Sequence, residues 1–276
     1  MWQFKGVKGE KMKLIYLEDI ELESLEQISD TRHKESTLFY NQSTVYKIFN
    51  DLYDSQRKQK QTKIKLLSDG NSLPITVMPK DELVYEFLGN RFEGYTMDYI
   101  ENSKTLYKLF LQDKQLPFLI NTLNVISTSI QEIHQDPRNI VISDLHTENI
   151  IIDKVLNPHI IDIDSCKIDG IKNETIPMSL IRYLSNRGLS SLISKVETTA
   201  NTDKLCLLLM TVGLIFNKHI DKISMYEYDK KAEKIKMLND LKQLVLEVKR
   251  SSTIPEVPYI HELISTTKTL ERRLTK

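Results

Sequence analysis

The hydrophobic pattern of this chain changes period once, and that change limits its possible folds more than any other feature. Up to about residue 100 the apolar residues fall in short runs between polar turns: "LEQIS" (25–29), "STLFY" (36–40), "TVYKIF" (44–49), "ELVYEF" (82–87) and "FEGYTMDYI" (92–100). That is strand patterning, and the last two runs, joined by "LGNR", predict a β-hairpin. One helix interrupts them, "SQRKQKQTKIKLL" (55–67), which lacks Gly and Pro and is closed by Asp69-Gly70-Asn71. After Asn102 the runs lengthen. "SKTLYKLFLQ" (103–112) and "LPFLINTLNVISTSIQEIHQ" (116–135) read as helices, the second with Leu119, Leu123, Ile126 and Ile130 on one face. From about Leu180 the chain is again mostly helical. The expectation is an α+β protein in two parts, with the boundary near residues 99–103. Residues 1–100 form a small strand-rich part with one main helix, and residues 101–276 form a larger, mostly helical part.

A chain of 276 residues is long enough for two such parts with a substantial core. Its 38 basic and 38 acidic residues cancel, so no net field draws it to nucleic acid or an acidic membrane. No Lys/Arg stripe with interleaved aromatics suggests a nucleic-acid surface. Six His and two Cys, Cys166 and Cys206, form no zinc-like spacing. With so few cysteines and no signal-peptide core in "MWQFKGVKGEKMKL", a reduced, cytoplasmic setting is expected. "LCLLLMTVGLIF" (205–216) is too short to span a bilayer and reads as a buried helix. "YEYDKKAEKIKMLNDLKQLVLEVKRSS" (226–252) reads as a charged amphipathic helix packed through Ile235, Leu238, Leu241, Leu244 and Leu246. Lys outnumbers Arg, and Ile and Asn are abundant, which is the usage of an AT-rich, bacterial or phage genome.

Chemistry concentrates in two short segments, "ISDLHTENIIID" (142–153) and "IIDIDS" (160–165). Asp144 follows an apolar run and can accept a proton from a hydroxyl nucleophile. Asn149, five residues on, offers a neutral oxygen, and Asp162 offers a charged one at the end of a second apolar run. If the two runs are adjacent strands, these oxygens meet at one end. Mg²⁺ suits such a set, because it takes one or two protein carboxylates together with phosphate oxygens. The same Asp and Asn residues also mark ordinary turns.

"DLHTEN" followed by "IIDIDS" resembles the catalytic and metal-binding loops of the protein kinase-like superfamily. The Asp-x-His-x-x-Asn form is similar to that of aminoglycoside phosphotransferases and related bacterial kinases, and Ile-Asp-x-Asp-Ser to that of some atypical bacterial kinases. The resemblance implies a bilobal α+β fold, with ATP held between a small antiparallel-sheet N-lobe with one main helix (1–100) and a larger, mostly helical C-lobe (101–276). It implies Asp144 as catalytic base, His146 at the position that contacts the transferring phosphate, and Asn149 and Asp162 as Mg²⁺ ligands. "TVYKIF" resembles the strand that carries the nucleotide-binding Lys, here Lys47. "GYTMDYIEN" resembles the hinge, with Met97 at the gatekeeper position and Asp98, Tyr99 and Ile100 supplying backbone hydrogen bonds to adenine. "EIHQDPRNIVISDL" resembles the helix end leading into the catalytic loop. "NTDKLCLLLM" resembles the helix whose Asp, here Asp203, braces that loop; Asp203 also reads as a simple N-cap. The resemblance covers about residues 25–215. Asp144 stands 18 residues before Asp162, 97 after Lys47 and 46 after Asp98, separations similar to those of protein kinases rather than small-molecule phosphotransferases.

The chain departs from the family at its clamping and regulatory parts. No Gly occurs between Gly9 and Gly70, where a glycine loop would approach phosphates. In "SDTRHKES" (29–36) Arg32, His33 and Lys34 either supply positive charge instead or form an exposed turn. No Glu occurs between Glu35 and Glu82 to pair with Lys47; Gln61, facing inward, or Asp54 is the substitute. Ser143 replaces the Arg before the base. Asp164 replaces the Gly of the metal loop, as a third metal ligand or a surface-facing turn residue. "CKIDGIKNETIPMSLIRYLSNRGLSSL" (166–192) lacks the Ala-Pro-Glu platform, and Pro177 is its only Pro. With Asp144, Asn149, Asp162 and Lys47 intact, the expectation is an active, atypical ATP- and Mg²⁺-dependent phosphotransferase, a protein Ser/Thr kinase first. A small-molecule phosphotransferase, a pseudokinase binding module and a nucleotidyltransferase stand as alternatives.

Overall fold

In a computed structural model of the chain, the residues described are 12–28, 35–112, 116–171, 178–186, 188, 190, 197–216, 218, 222–232, 239, 242–243, 247, 254 and 256–264. The chain divides into two compact units, Met1–Ser103 and Lys104–Lys276.

The first unit is built on a six-stranded sheet. Its strands are β1 (Leu14–Tyr16), β2 (Glu26–Gln27), β3 (Ser36–Asn41), β4 (Thr44–Phe49), β5 (Pro79–Tyr85) and β6 (Arg91–Asp98), in the order β1-β5-β6-β4-β3-β2. All neighbours pair antiparallel except β1, which runs parallel to β5 with Leu14 opposite Glu82. The sheet is therefore not purely antiparallel, which departs from the antiparallel N-lobe sheet that the resemblance implies. β1 and β2 lie on opposite edges, so the chain between them crosses the unit, and β1 covers an edge of β5 that would otherwise present unpaired N–H and C=O groups.

Helix α1 (Asp54–Ser68) packs on this sheet through Ile64 and Leu67. Gln56 starts it by accepting a hydrogen bond from the Tyr53 N–H (3.2 Å). In β4 the inward positions are Val45, Lys47 and Phe49. A lysine thus occupies a place that period-two patterning reserves for an apolar residue. β6 carries a bulge at Glu93, because Gly94 opposes Leu83 and Phe92 opposes the next residue, Val84. Arg57 of α1 and Arg91 both bond to the Glu93 carboxylate.

Gly94 marks a close backbone approach in this sheet. A Cβ built there would lie 2.0 Å from the Lys47 carbonyl oxygen, so β4 and β6 could not keep their pairing around Lys47. Gly94→Ala is expected to cost about 1–3 kcal/mol of stability, read by denaturant unfolding of the full chain. A cost near zero would mean that the two strands are not held this closely.

The second unit contains helices α2 (Leu106–Gln112), α3 (Leu116–His134), α4 (Met178–Asn186), α5 (Ala200–Phe216), α6 (Met225–Ala232) and α7 (Ile260–Ile264). It also contains a small antiparallel sheet of β7 (Lys104–Thr105), β8 (Ile150–Ile152) and β9 (Pro158–Ile160), in that order. The stripe Leu119, Leu123, Ile126, Ile130 of α3 is fully buried, and Ile133 extends it. Each such side chain contributes roughly 1.5–3 kcal/mol on leaving water. α5 is buried nearly all round, as its apolar sequence predicts. No helix among the described residues is long and apolar enough to cross a membrane. Of the helix predicted over 226–252, residues up to Ala232 form α6; Ile235, Leu238, Leu241, Leu244 and Leu246 lie outside the described residues. So do Arg32, His33, Lys34 and Pro177.

Candidate functional site

The β8–β9 ribbon explains why two segments that are separate in sequence meet. Ile150 opposes Ile160 and Ile152 opposes Pro158. The ladder continues one step beyond the strands, where the Ile161 N–H donates to the Asn149 carbonyl (3.0 Å). Asn149 enters the ribbon and Asp162 leaves it at the same end. At the other end Asp153 closes the turn, accepting hydrogen bonds from the N–H groups of Val155 (2.9 Å) and Asn157 (2.8 Å) and pairing with His159 Nε2 (3.0 Å). Partial desolvation raises the Asp153 pKa, but the bonds from His159, Asn157 and Val155 outweigh it and hold the carboxyl at about 2. Its work is structural.

Asp144 lies in the loop before β8. The Asn149 side-chain amide donates both to the Asp144 carbonyl (3.0 Å) and to its carboxylate Oδ2 (3.2 Å). This fixes the carboxylate and leaves Asn149 Oδ1, a hard oxygen, as the donor atom facing away from it. His146 places Nε2 3.6 Å from Asp144 Oδ2. Its Nδ1 accepts the Glu148 N–H (3.2 Å), so in the neutral ring Nε2 carries the hydrogen. Burial works against protonation of His146, but the carboxylates of Asp144, Glu148 and Asp162 outweigh it and raise its pKa above the ordinary value.

Two residues beside the carboxylates have left-handed backbones, Ser143 (φ 71°) and Asp162 (φ 65°, ψ 37°). Asp tolerates this conformation through its short polar side chain. Ser143 does so at a cost of about 1–2 kcal/mol, and it is held there. Its N–H donates to Asp203 Oδ1 (2.8 Å), and its hydroxyl donates to the Val141 carbonyl (3.1 Å). Asp203 Oδ2 accepts the Ile142 N–H (2.7 Å) and pairs with His134 Nε2 (2.9 Å). Asp203 is 0% exposed and sits inside α5, not at its cap. The turn before the helix is closed instead by the Thr199 N–H donating to Thr202 Oγ1 (3.0 Å). The N-cap reading of Asp203 is thereby corrected. Asp164, in the short 3₁₀ turn Ile163–Ser165, is 1% exposed, so it is not a surface-facing turn residue.

In the first unit Lys47 is 5% exposed, with its ammonium 5.4 Å from the Phe49 ring centre and 5.6 Å from that of Tyr95. It is not the solvated lysine usual in an alternating strand. Directly across the ladder stand Tyr95 on β6 and then Glu82 on β5, so the three share one face of the sheet. Gln61 donates to the Glu82 carboxylate (2.5 Å), which also pairs with Lys65 (3.3 Å). The buried carboxylate on this face therefore comes from β5, and Gln61 is engaged with it. Asp54, the alternative to Gln61, is exposed at the start of α1. Met97 is buried in β6 opposite Val45, and the Asp98 side chain pairs with Lys80. The Tyr99 N–H donates to the Ser43 carbonyl (2.8 Å). The Tyr99 N–H is thereby engaged within the unit.

No family model and no curated protein matches the chain. The site thus rests on its own geometry. That geometry includes residues that the sequence patterns did not single out: His134, which interrupts the apolar end of α3; Glu82, which lies in an ordinary strand pattern; and Tyr259, which contacts His134 (3.0 Å). A polar residue on a buried helical face was the one available signal, and only His134 gave it.

Proposed function

We propose that this chain is an atypical phosphotransferase of protein kinase-like fold that moves the γ-phosphate of ATP to a hydroxyl, with a protein Ser or Thr as acceptor. The observation that carries the reading is the convergence at one end of the β8–β9 ribbon. There Asn149 holds the Asp144 carboxylate, and the strand that leads to Asp162 pairs with Asn149. A fixed carboxylate beside two hard oxygens suits a reaction that depends on positioning and charge neutralisation. Asp144 takes the hydroxyl proton as the acceptor oxygen bonds to phosphorus and the bond to the β-phosphate oxygen breaks, releasing ADP. His146 Nε2–H donates to an oxygen of the transferring phosphate. Asn149 Oδ1 and Asp162 would hold Mg²⁺, whose chemistry is to neutralise phosphate charge. Lys47 would bind the α- and β-phosphates.

The reading is tested with purified full-length chain, labelled ATP and Mg²⁺, followed by mass spectrometry of the protein and of added acceptors. Added phosphate supports it. An AMP adduct would make the protein a nucleotidyltransferase, and absence of Mg-ATP binding would make it a binding module. Near 100-fold ligand excess over Kd, Mg-ATP is expected to raise the Tm by roughly 5–10 °C, and Asp162→Ala to remove the Mg²⁺-dependent part of that shift. An unchanged shift in Asp162→Ala would refute the metal assignment.

A further inference from the structure

The segment Glu256–Ile264 docks against α3 and α5 in the second unit. Val257 and Ile260 are fully buried. The His261 N–H donates to Ser127 Oγ (3.2 Å), and the His261 ring Nδ1 lies 3.0 Å from the same hydroxyl. Between these anchors, Tyr259 is held by its ring, stacked on His261 (5.6 Å between centroids) with the Lys204 ammonium 4.3 Å from its centre. Its hydroxyl lies 3.0 Å from His134 Nδ1.

The hydrogen-bond directions along this chain of groups are determined by the acceptor at its end. Asp203 accepts the N–H groups of Ile142 and Ser143, and a carboxylate only accepts. His134 Nε2 must then bring the hydrogen to Asp203 Oδ2. With Nε2 protonated, the neutral ring offers Nδ1 as an acceptor, and the Tyr259 hydroxyl is its donor. Burial, with the charges of Glu262 and Asp203, raises the Tyr259 pKa, so the hydroxyl keeps the hydrogen it donates.

We propose that Tyr259 is a positioning residue for the loop that carries Asp144, acting through His134 and Asp203 on the Ile142 and Ser143 amides. The segment at 256–264 is then a working part of the site rather than a terminal appendage. Its effect on phosphate transfer rests on the function proposed above, whereas its effect on the loop does not.

The test is Tyr259→Phe in the full chain, which keeps the ring and its docking and removes only the hydroxyl. Amide exchange at Ile142 and Ser143 is expected to quicken about fivefold, the fold-change for one lost hydrogen bond, while amides of α3 and α7 keep their rates. The transfer rate is expected to fall by a similar factor with KM for Mg-ATP unchanged. Lys204→Met, which removes the cation from the ring but leaves the hydroxyl, is expected to leave Ile142 and Ser143 unaltered. Unchanged exchange at those two amides in Tyr259→Phe would overturn the proposal. So would an equal rise in Lys204→Met or across α3 and α7, because docking alone would then explain it. Faster exchange at the two amides in a protein that transfers no phosphate would support the relay and refute the phosphotransfer reading.

Discussion

Asp144→Asn is expected to slow phosphate transfer by about 10²–10⁴-fold, the range for removal of a general base, with Mg-ATP binding retained. The replacement has the same shape. The Asn149 bond to the residue 144 carbonyl is a backbone contact and survives, and the bond to Oδ2 can pass to the new amide oxygen. What disappears is the ability to take a proton. The change also has a signature that does not depend on catalysis. The Asp144 carboxylate is the main influence raising His146, against burial, which lowers it. In the variant only Glu148 and Asp162 remain to raise it, so the imidazole titration followed by NMR is expected to move to lower pH. Single-turnover transfer of labelled phosphate at the wild-type rate would refute Asp144 as base. A His146 titration that did not move would refute the placement of the two side chains beside each other.

How far this site could be read from sequence depends on whether the information was local. The change of hydrophobic period located the sheet and the helices, and α1, β4, β6, α3 and α5 lie where it put them. The run before Asp144, Ile140–Ile142, does not pair with Ile160–Ile161 as expected: Val141 makes only an isolated bridge to Lys167, and it is Ile150–Ile152 that pairs with Pro158–Ile160 and brings Asn149 and Asp162 to one end. Non-local pairings were not legible. β1 joins the sheet by parallel pairing to β5, 68 residues further on, and nothing in "LIY" announces that. The resemblance places a partner for Lys47 on the following helix. The buried carboxylate on the face shared with Lys47, Glu82 at 3% exposure, stands two strands away. The left-handed backbone at Ser143 is invisible in a residue type that rarely adopts it, and one of the two contacts that hold it comes from Asp203, 60 residues later. Asp164 shows the converse limit. Its polarity suggested a turn at the surface, and tertiary packing buries it.

Asp203→Ala is expected to destabilise the second unit by about 3–5 kcal/mol, as the loss of one partner from a buried polar network does. The carboxylate is fully buried and serves three donors: the Ile142 N–H, the Ser143 N–H and His134 Nε2. Alanine leaves all three without an acceptor in a site closed to solvent. Asn at the same place keeps the volume and one acceptor oxygen but turns an NH₂ toward a donor, so Asp203→Asn is expected to cost less, about 1–3 kcal/mol. The chain has two units, and a global transition would mix them. The measurement is therefore amide exchange in guanidinium on peptides covering His134–Asn149, read against peptides from β4 and β6 as internal reference. A loss below about 1 kcal/mol in the alanine variant, within the range of one ordinary hydrogen bond, would show that the loop holds its shape without Asp203. The expected loss has a second consequence at Ser143. Its left-handed conformation is unfavourable by itself, and the Asp203 bond to its N–H is one of two contacts that hold it. When that bond goes, the backbone at Ser143 relaxes toward an ordinary region, and the Asp144 side chain turns away from Asn149. Ser143 thus links the Asp203 carboxylate to the backbone that carries Asp144.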